Sequence, residues 1–273
     1  MTDKNFLDTK EIRLANYRMD IRYDGQKYYG WQRHKDNPTI QGALENAITQ
    51  CFGLRVNVEG SGRTDRGVHA VQQVATVRLP DHLDPDAVKM LNHVLGHTIE
   101  ILNLQKVSEH FHARESAMGK RYCYHIWNHP ELPLEQNGRV WHIPEKLDAG
   151  AMRKACPLFV GKMDFASFAK VPNFKRSTTF RTVHALDLVQ DGPFLCFAII
   201  ADGFLYKMVR NIIRLLVKTG EGRVMISDIP EIIKAKDRNA SPGTAPASGL
   251  YLYDVFYDQQ ALDAAMAEKG RIK

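Results

Sequence analysis

At 273 residues, with 44% hydrophobic and 25% charged side chains, the chain has the composition of a globular protein, which excludes the disordered and fibrous classes. The 37 basic side chains outnumber the 31 acidic ones, a formal charge of +6, so the surface field favours a polyanion such as nucleic acid without naming one. Four widely spaced cysteines with no C-x-x-C pair, an N-terminus MTDKNFLDTKEIR with no apolar core, and a longest apolar stretch of only 194–201 argue against a zinc knuckle, a disulfide framework, a secretory leader and a membrane span, and predict a cytoplasmic protein.

Residues 15–24 alternate as a half-buried strand does. After Pro38-Thr39, the residues Ile40, Ala43, Leu44, Ala47, Ile48, Cys51 and Phe52 recur at helical spacing, which predicts an amphipathic helix. A short strand over 56–59, a turn at Gly60-Ser61-Gly62 and a strand over 71–79 follow. Asp84-Pro85 opens a second helix reaching about Leu95, and 99–107 reads as a strand. The aromatic and β-branched run 121–127 is a strong strand, and a helix is predicted over 147–160. Strands over 182–190 and 194–201 are joined by Asp191-Gly192-Pro193, a hairpin turn. Helices over 204–219 and 228–236 precede a last strand, 250–257.

Both halves therefore read β-α-β-β-α-β, the second with one extra helix, which is the ferredoxin-like split unit written twice. The expected class is α+β: two such halves, 1–112 and 113–273 with the boundary near 108–116, forming one mainly antiparallel sheet with helices on one face and a central cleft. Many functions share that architecture, so the fold alone names none of them.

The segment richest in chemistry is Gly60-Ser61-Gly62-Arg63-Thr64-Asp65-Arg66-Gly67-Val68-His69-Ala70, one carboxylate between two arginines in a glycine-punctuated turn. Three readings stand: a plain strand connection, an anion-binding loop, or a catalytic carboxylate presented to a polyanion. It lacks the Gly-Lys-Ser/Thr ending of a nucleotide-phosphate loop. Lys207, Arg210, Arg214 and Lys218 fall on one helical face, which by itself reads as a solvated stripe. The spaced histidines, His93 and His97, His110 and His112, His125 and His129, form no metal-ligand signature, so no metal site is expected.

Several segments together resemble the TruA-like pseudouridine synthase family. GSGRTDRGVHA is similar to the family's catalytic loop GRTDxGVHA. Residues 24–32, DGQKYYGWQ, resemble D-G-x-x-[FY]-x-G-W-Q, and Thr39-Ile40-Gln41 with Leu44-Glu45 resembles T-[VI]-Q-x-x-L-E. Lys120-Arg121-Tyr122-Cys123-Tyr124 is similar to K-x-Y-x-Y, residues 204–211 to F-L-x-x-M-V-R-x, and 245–250 to A-P-x-x-G-L. They recur in family order from residue 24 to residue 252.

The resemblance implies the pseudouridine synthase fold and the isomerisation of uridine to pseudouridine in the anticodon stem-loop of tRNA, at positions 38, 39 and 40. It implies no cofactor and no metal, a homodimer with tRNA as partner, and no membrane. By the same resemblance Asp65 is the catalytic carboxylate, acting as nucleophile or as base. Tyr122 packs against the extruded base, and Arg210 pairs with Asp65 and orients it. Arg63 enters the stem in place of the displaced base, Leu250 lies against the substrate, and Lys and Arg elsewhere hold phosphates. Arg66 departs from the small residue usual after the Asp in bacterial members, although eukaryotic relatives often carry Lys there; three readings stand for it, contact with a substrate phosphate, filtering of targets, or a solvent-facing side chain with no role.

Overall fold

The computed structural model describes residues 13–169 and 178–268. In the first half, strand β1 (Leu14–Tyr23) leads to helix α1 (Ile40–Phe52), the short β2 (Glu59–Gly60), β3 (His69–Pro80), helix α2 (Ala87–Leu95) and β4 (Ile99–Lys106). The second half runs β5 (Gly119–Trp127), β6 (Trp141–His142), α3 (Ala149–Ala155), β7 (Gly161–Asp164), the hairpin β8 (Phe180–Asp191) and β9 (Phe194–Ala201), α4 (Met208–Gly220), α5 (Ile229–Lys234), β10 (Leu250–Phe256) and α6 (Gln259–Ala267).

The strands form one sheet in the order β4-β1-β3-β10-β5-β9-β8-β7, with β2 on β3 and β6 on β5. Each half has the strand order expected of a split β-α-β-β-α-β unit: β4-β1-β3-β2 in the first and β10-β5-β9-β8 in the second. Within the halves the main strands pair antiparallel and only the short β6 runs parallel to β5; the halves join through a short parallel contact, Tyr251 opposite His69 and Leu252 opposite Ala70. That contact is available because β2 is short. Val58 donates its backbone N–H to Glu45 Oε1 (3.1 Å) on α1, so β2 meets β3 only at Thr76 and Ala75. The strand expected over 56–59 is displaced toward Gly60 for this reason.

Residues 19, 21, 44, 48, 74 and 91 of the first half and 124, 197, 199, 212, 213 and 216 of the second belong to one continuous core. Ile199 faces this core, whereas the next residue, Ile200, packs with Phe256 and Leu262 in a separate cluster. Successive strand residues point to opposite faces, so α6 covers the reverse side of the sheet, and the helices are not all on one face as expected. Asp258 caps α6 by accepting from Ala261 N (2.7 Å). The α3 helix is shorter than the predicted 147–160 because Pro157 supplies no N–H, and the chain tightens into a 3₁₀ turn over Cys156–Phe159. No helix of the described residues is long and apolar enough to cross a membrane.

Candidate active site

The Asp65 loop is held in place by the residues around it. Gln73, wholly buried on β3, donates from Nε2 to Gly62 O (2.7 Å) and accepts from Gly62 N (3.3 Å). The hydroxyls of Tyr23 and Thr64 lie 2.9 Å apart, and Trp31 N donates to Thr64 O (3.0 Å). Gly30 lets the 24–32 segment approach: its φ is +93°, and a Cβ there would fall 2.5 Å from Thr64 O. The same segment closes the start of α1, where Ile40 N and Gln41 N donate to the carbonyls of Gly30 and Trp31 (3.1 and 3.0 Å). His69 ends the loop from beneath. Its Nδ1 accepts from Gly25 N (3.2 Å), its Nε2 donates to Gly138 O (3.2 Å), and burial pushes its pKa down, consistent with a neutral ring.

Opposite the loop, α4 supplies Arg210. The predicted helix over 204–219 begins only at Met208, because Lys207 adopts a left-handed conformation (φ 63°) and leaves 204–207 as cleft wall. Arg210 Nη1 donates to Asp65 Oδ2 at 2.7 Å, and Arg210 Nε donates to Ala245 O at 2.8 Å. The pair is mostly buried, with side-chain exposures of 14% and 22%. The 245–250 segment is tied in turn, since Tyr124 donates its hydroxyl to Pro246 O (2.8 Å). The guanidinium is therefore fixed at two points and presents Asp65 in one orientation. Asp65 Oδ1 accepts no hydrogen bond among the described residues.

The expected solvated stripe on α4 is absent. Lys207 lies outside the helix with its Nζ over the Tyr206 ring (5.3 Å), Arg214 sits over Trp141 (5.2 Å), and Lys218 pairs with Glu221 (2.5 Å). Each of these basic residues has its own partner, as Arg210 does.

Tyr122 forms the floor of the cleft. It is buried, its ring meets Phe204 edge-on at 4.9 Å, and burial, then Tyr23 and Asp65, push its phenol well above the ordinary value. It is a neutral aromatic surface with one hydroxyl, suited to holding a flat ring.

These residues line a cleft of ≈ 580 Å³. Of the residues singled out from the sequence, Asp65, Tyr122, Arg210, Arg63 and Leu250 all line it, and Arg66 does not. Arg66 points to the outer side of the loop, its guanidinium 4.1 Å from the centre of the Tyr29 ring. Sequence reasoning gave no role to Lys120, Arg114 or Arg181, which also line the cleft. Lys120 was within reach of a period-2 reading, since it lies two residues before Tyr122 on the same strand face. In all, Arg63, Arg114, Lys120, Arg181, Lys207 and Arg210 face two carboxylates, Asp65 and Asp202, so the space suits a polyanion.

Comparison with known proteins bears on this geometry. A family model described as tRNA pseudouridine synthase matches residues 20–114 and 155–258. The chain is similar to tRNA pseudouridine synthase A of Methylacidiphilum infernorum, 38% identical over 253 residues, 92% of this chain and 99% of that one. It is 36% identical over 256 residues to tRNA pseudouridine synthase A of Thermodesulfovibrio yellowstonii, covering 89% and 100% of the two chains. The protein of the same name from Caldicellulosiruptor saccharolyticus is 39% identical over 245 residues, again 89% and 100%.

Proposed function

The chain belongs to the tRNA pseudouridine synthase family, and from that premise we propose that it isomerises uridine to pseudouridine in the anticodon stem-loop of tRNA, at positions 38, 39 and 40. The observation that carries this reading is the Asp65–Arg210 pair at 2.7 Å in a cleft whose charged lining is mainly cationic. Treating 1–112 and 113–273 as the two units, the first brings the carboxylate and the second brings Tyr122 and Arg210, so the reaction takes place where they meet.

The chemistry needs little else. The N1–C1′ bond breaks, the uracil turns, and C5 bonds to C1′; C5 loses a proton and N1 gains one, so there is no net redox change. Asp65 Oδ1 faces the sugar, either bonding to the substrate or stabilising the positive charge that grows at C1′. Arg210 orients the carboxylate through Oδ2, Tyr122 and Phe204 hold the extruded base, and Leu250 closes the apolar side. Arg63 occupies the space the base leaves in the stem. Arg66 meets a phosphate outside the cleft. The homodimer rests on family membership alone, and the cytoplasmic location on the four widely spaced cysteines with no C-x-x-C pair.

Pseudouridine mapping of tRNA from cells lacking the gene, before and after complementation, tests the reading. Loss at positions 38 to 40 and return with the wild-type gene supports it, whereas an unchanged anticodon arm with a loss elsewhere would reassign the target.

A further inference from the structure

Lys120 has no role in that chemistry. It stands at the start of β5, and its side chain and that of Tyr122 both pack over Gly62: a Cβ built there would lie 3.4 Å from the Tyr122 hydroxyl and 3.8 Å from Lys120 Cε. Its ammonium has no hydrogen bond and no acidic partner among the described residues. Burial, then the Arg114 guanidinium, push its pKa down to about 8. Arg114 comes from the connection before β5, lines the same cleft and likewise has no acidic partner among the described residues.

The acids of the cleft are engaged elsewhere. Asp65 is held by Arg210, and Asp202 accepts from Thr182 N through both oxygens (3.0 and 3.1 Å). Neither carboxylate forms an ion pair with Lys120 or Arg114 among the described residues, although all four line the same cleft. A half-sunk ammonium next to a like charge is unfavourable, and an apolar side chain would fill the same space. Two cations without an anion fit an oxyanion supplied by the substrate, Lys as a point charge and Arg as a fork.

We propose that Lys120 and Arg114 form the subsite for the phosphodiester adjacent to the extruded uridine. The inference rests on the RNA reading above and adds the part of the substrate these two cations hold. Residues two apart on a strand are about 7 Å apart, so a base on Tyr122 leaves its own backbone within reach of Lys120. Fixing that phosphate keeps the ribose in front of Asp65 while the base is detached.

The test uses the full chain with an anticodon stem-loop RNA carrying a single neutral methylphosphonate on either side of the target uridine. Lys120→Met should lower kcat/KM at least tenfold and reduce the salt slope of binding by about one unit. Lys120→Arg should restore most of that loss. One of the two methylphosphonates should weaken the wild-type protein to a similar degree and cost Lys120→Met little more. Binding of the same RNAs to Asp65→Asn separates the two proposals, because the phosphate contact registers in Kd even if Asp65 does no chemistry. An Arg variant as inactive as the Met variant, with normal turnover of both methylphosphonate RNAs, would make Lys120 a neutral amine acting on a proton and overturn the subsite. Indifference to all these changes overturns it as well.

Discussion

Arg210 and Asp65 are 145 residues apart in the chain and 2.7 Å apart in the fold, and the guanidinium that meets the carboxylate is also tied to the Ala245 carbonyl. A lysine cannot span both acceptors with a planar fork. Arg210→Lys should therefore lower kcat by roughly tenfold to a hundredfold, and Arg210→Ala by more, with a smaller change in tRNA affinity. Single-turnover kinetics with saturating enzyme measures this, and equal activity of Arg210→Lys and wild type would remove orientation of Asp65 from the account.

Burial pushes the Tyr122 phenol well above its ordinary value, so the role proposed for it falls to its ring and its neutral hydroxyl. Tyr122→Phe should keep kcat within about tenfold of wild type, whereas Tyr122→Ala should lose on the order of a hundredfold, since base–aromatic stacking contributes about 1–3 kcal/mol. An alkaline limb in the pH–rate profile that disappears in Tyr122→Phe would contradict this assignment.

Lys120 links function to stability. Its pKa falls from the ordinary 10.5 to about 8 in the folded protein, so between those values the unfolded chain binds the proton that the folded chain has released. Stability then rises with pH through that window, and below about 8 the full cost of the buried charge is present. Lys120→Met removes a penalty of up to about 3 kcal/mol. The variant should melt higher than wild type at pH 7, with the difference shrinking toward pH 10.5. A variant less stable at every pH would show that the lysine pays its way in the fold.

Arg66 lies over Tyr29, outside the cleft lining. Arg66→Ala is expected to weaken binding similarly across tRNAs and to reduce the salt slope by about one unit, leaving the modified positions unchanged. A changed pattern of modified uridines at constant affinity would instead make Arg66 a filter of targets.

Much of the fold was legible because it is local. The alternation over 15–24, the helical spacing from Ile40 and the Asp191-Gly192-Pro193 hairpin are encoded within a few residues, and the split-unit order follows from their sequence. Features decided by tertiary contacts were not. The Glu45 side chain takes the Val58 N–H and shortens β2, the left-handed Lys207 delays α4, and α6 packs on the reverse face. In the site, Asp65, Tyr122 and Arg210 were reached through the family resemblance, since no spacing rule brings residue 65 to residue 210. Lys120 was read only as part of a strand motif, because neither its burial nor its lack of an acidic partner is written in its neighbours.

The most direct measurement is release of tritium from C5-labelled uridine in tRNA by wild type and by Asp65→Asn, with tRNA affinity determined alongside. The account predicts turnover by the wild type and none by the variant, with affinity within about tenfold, roughly 1.4 kcal/mol, because phosphate contacts carry most of the binding. Tritium release by Asp65→Asn at a rate near that of the wild type would contradict it.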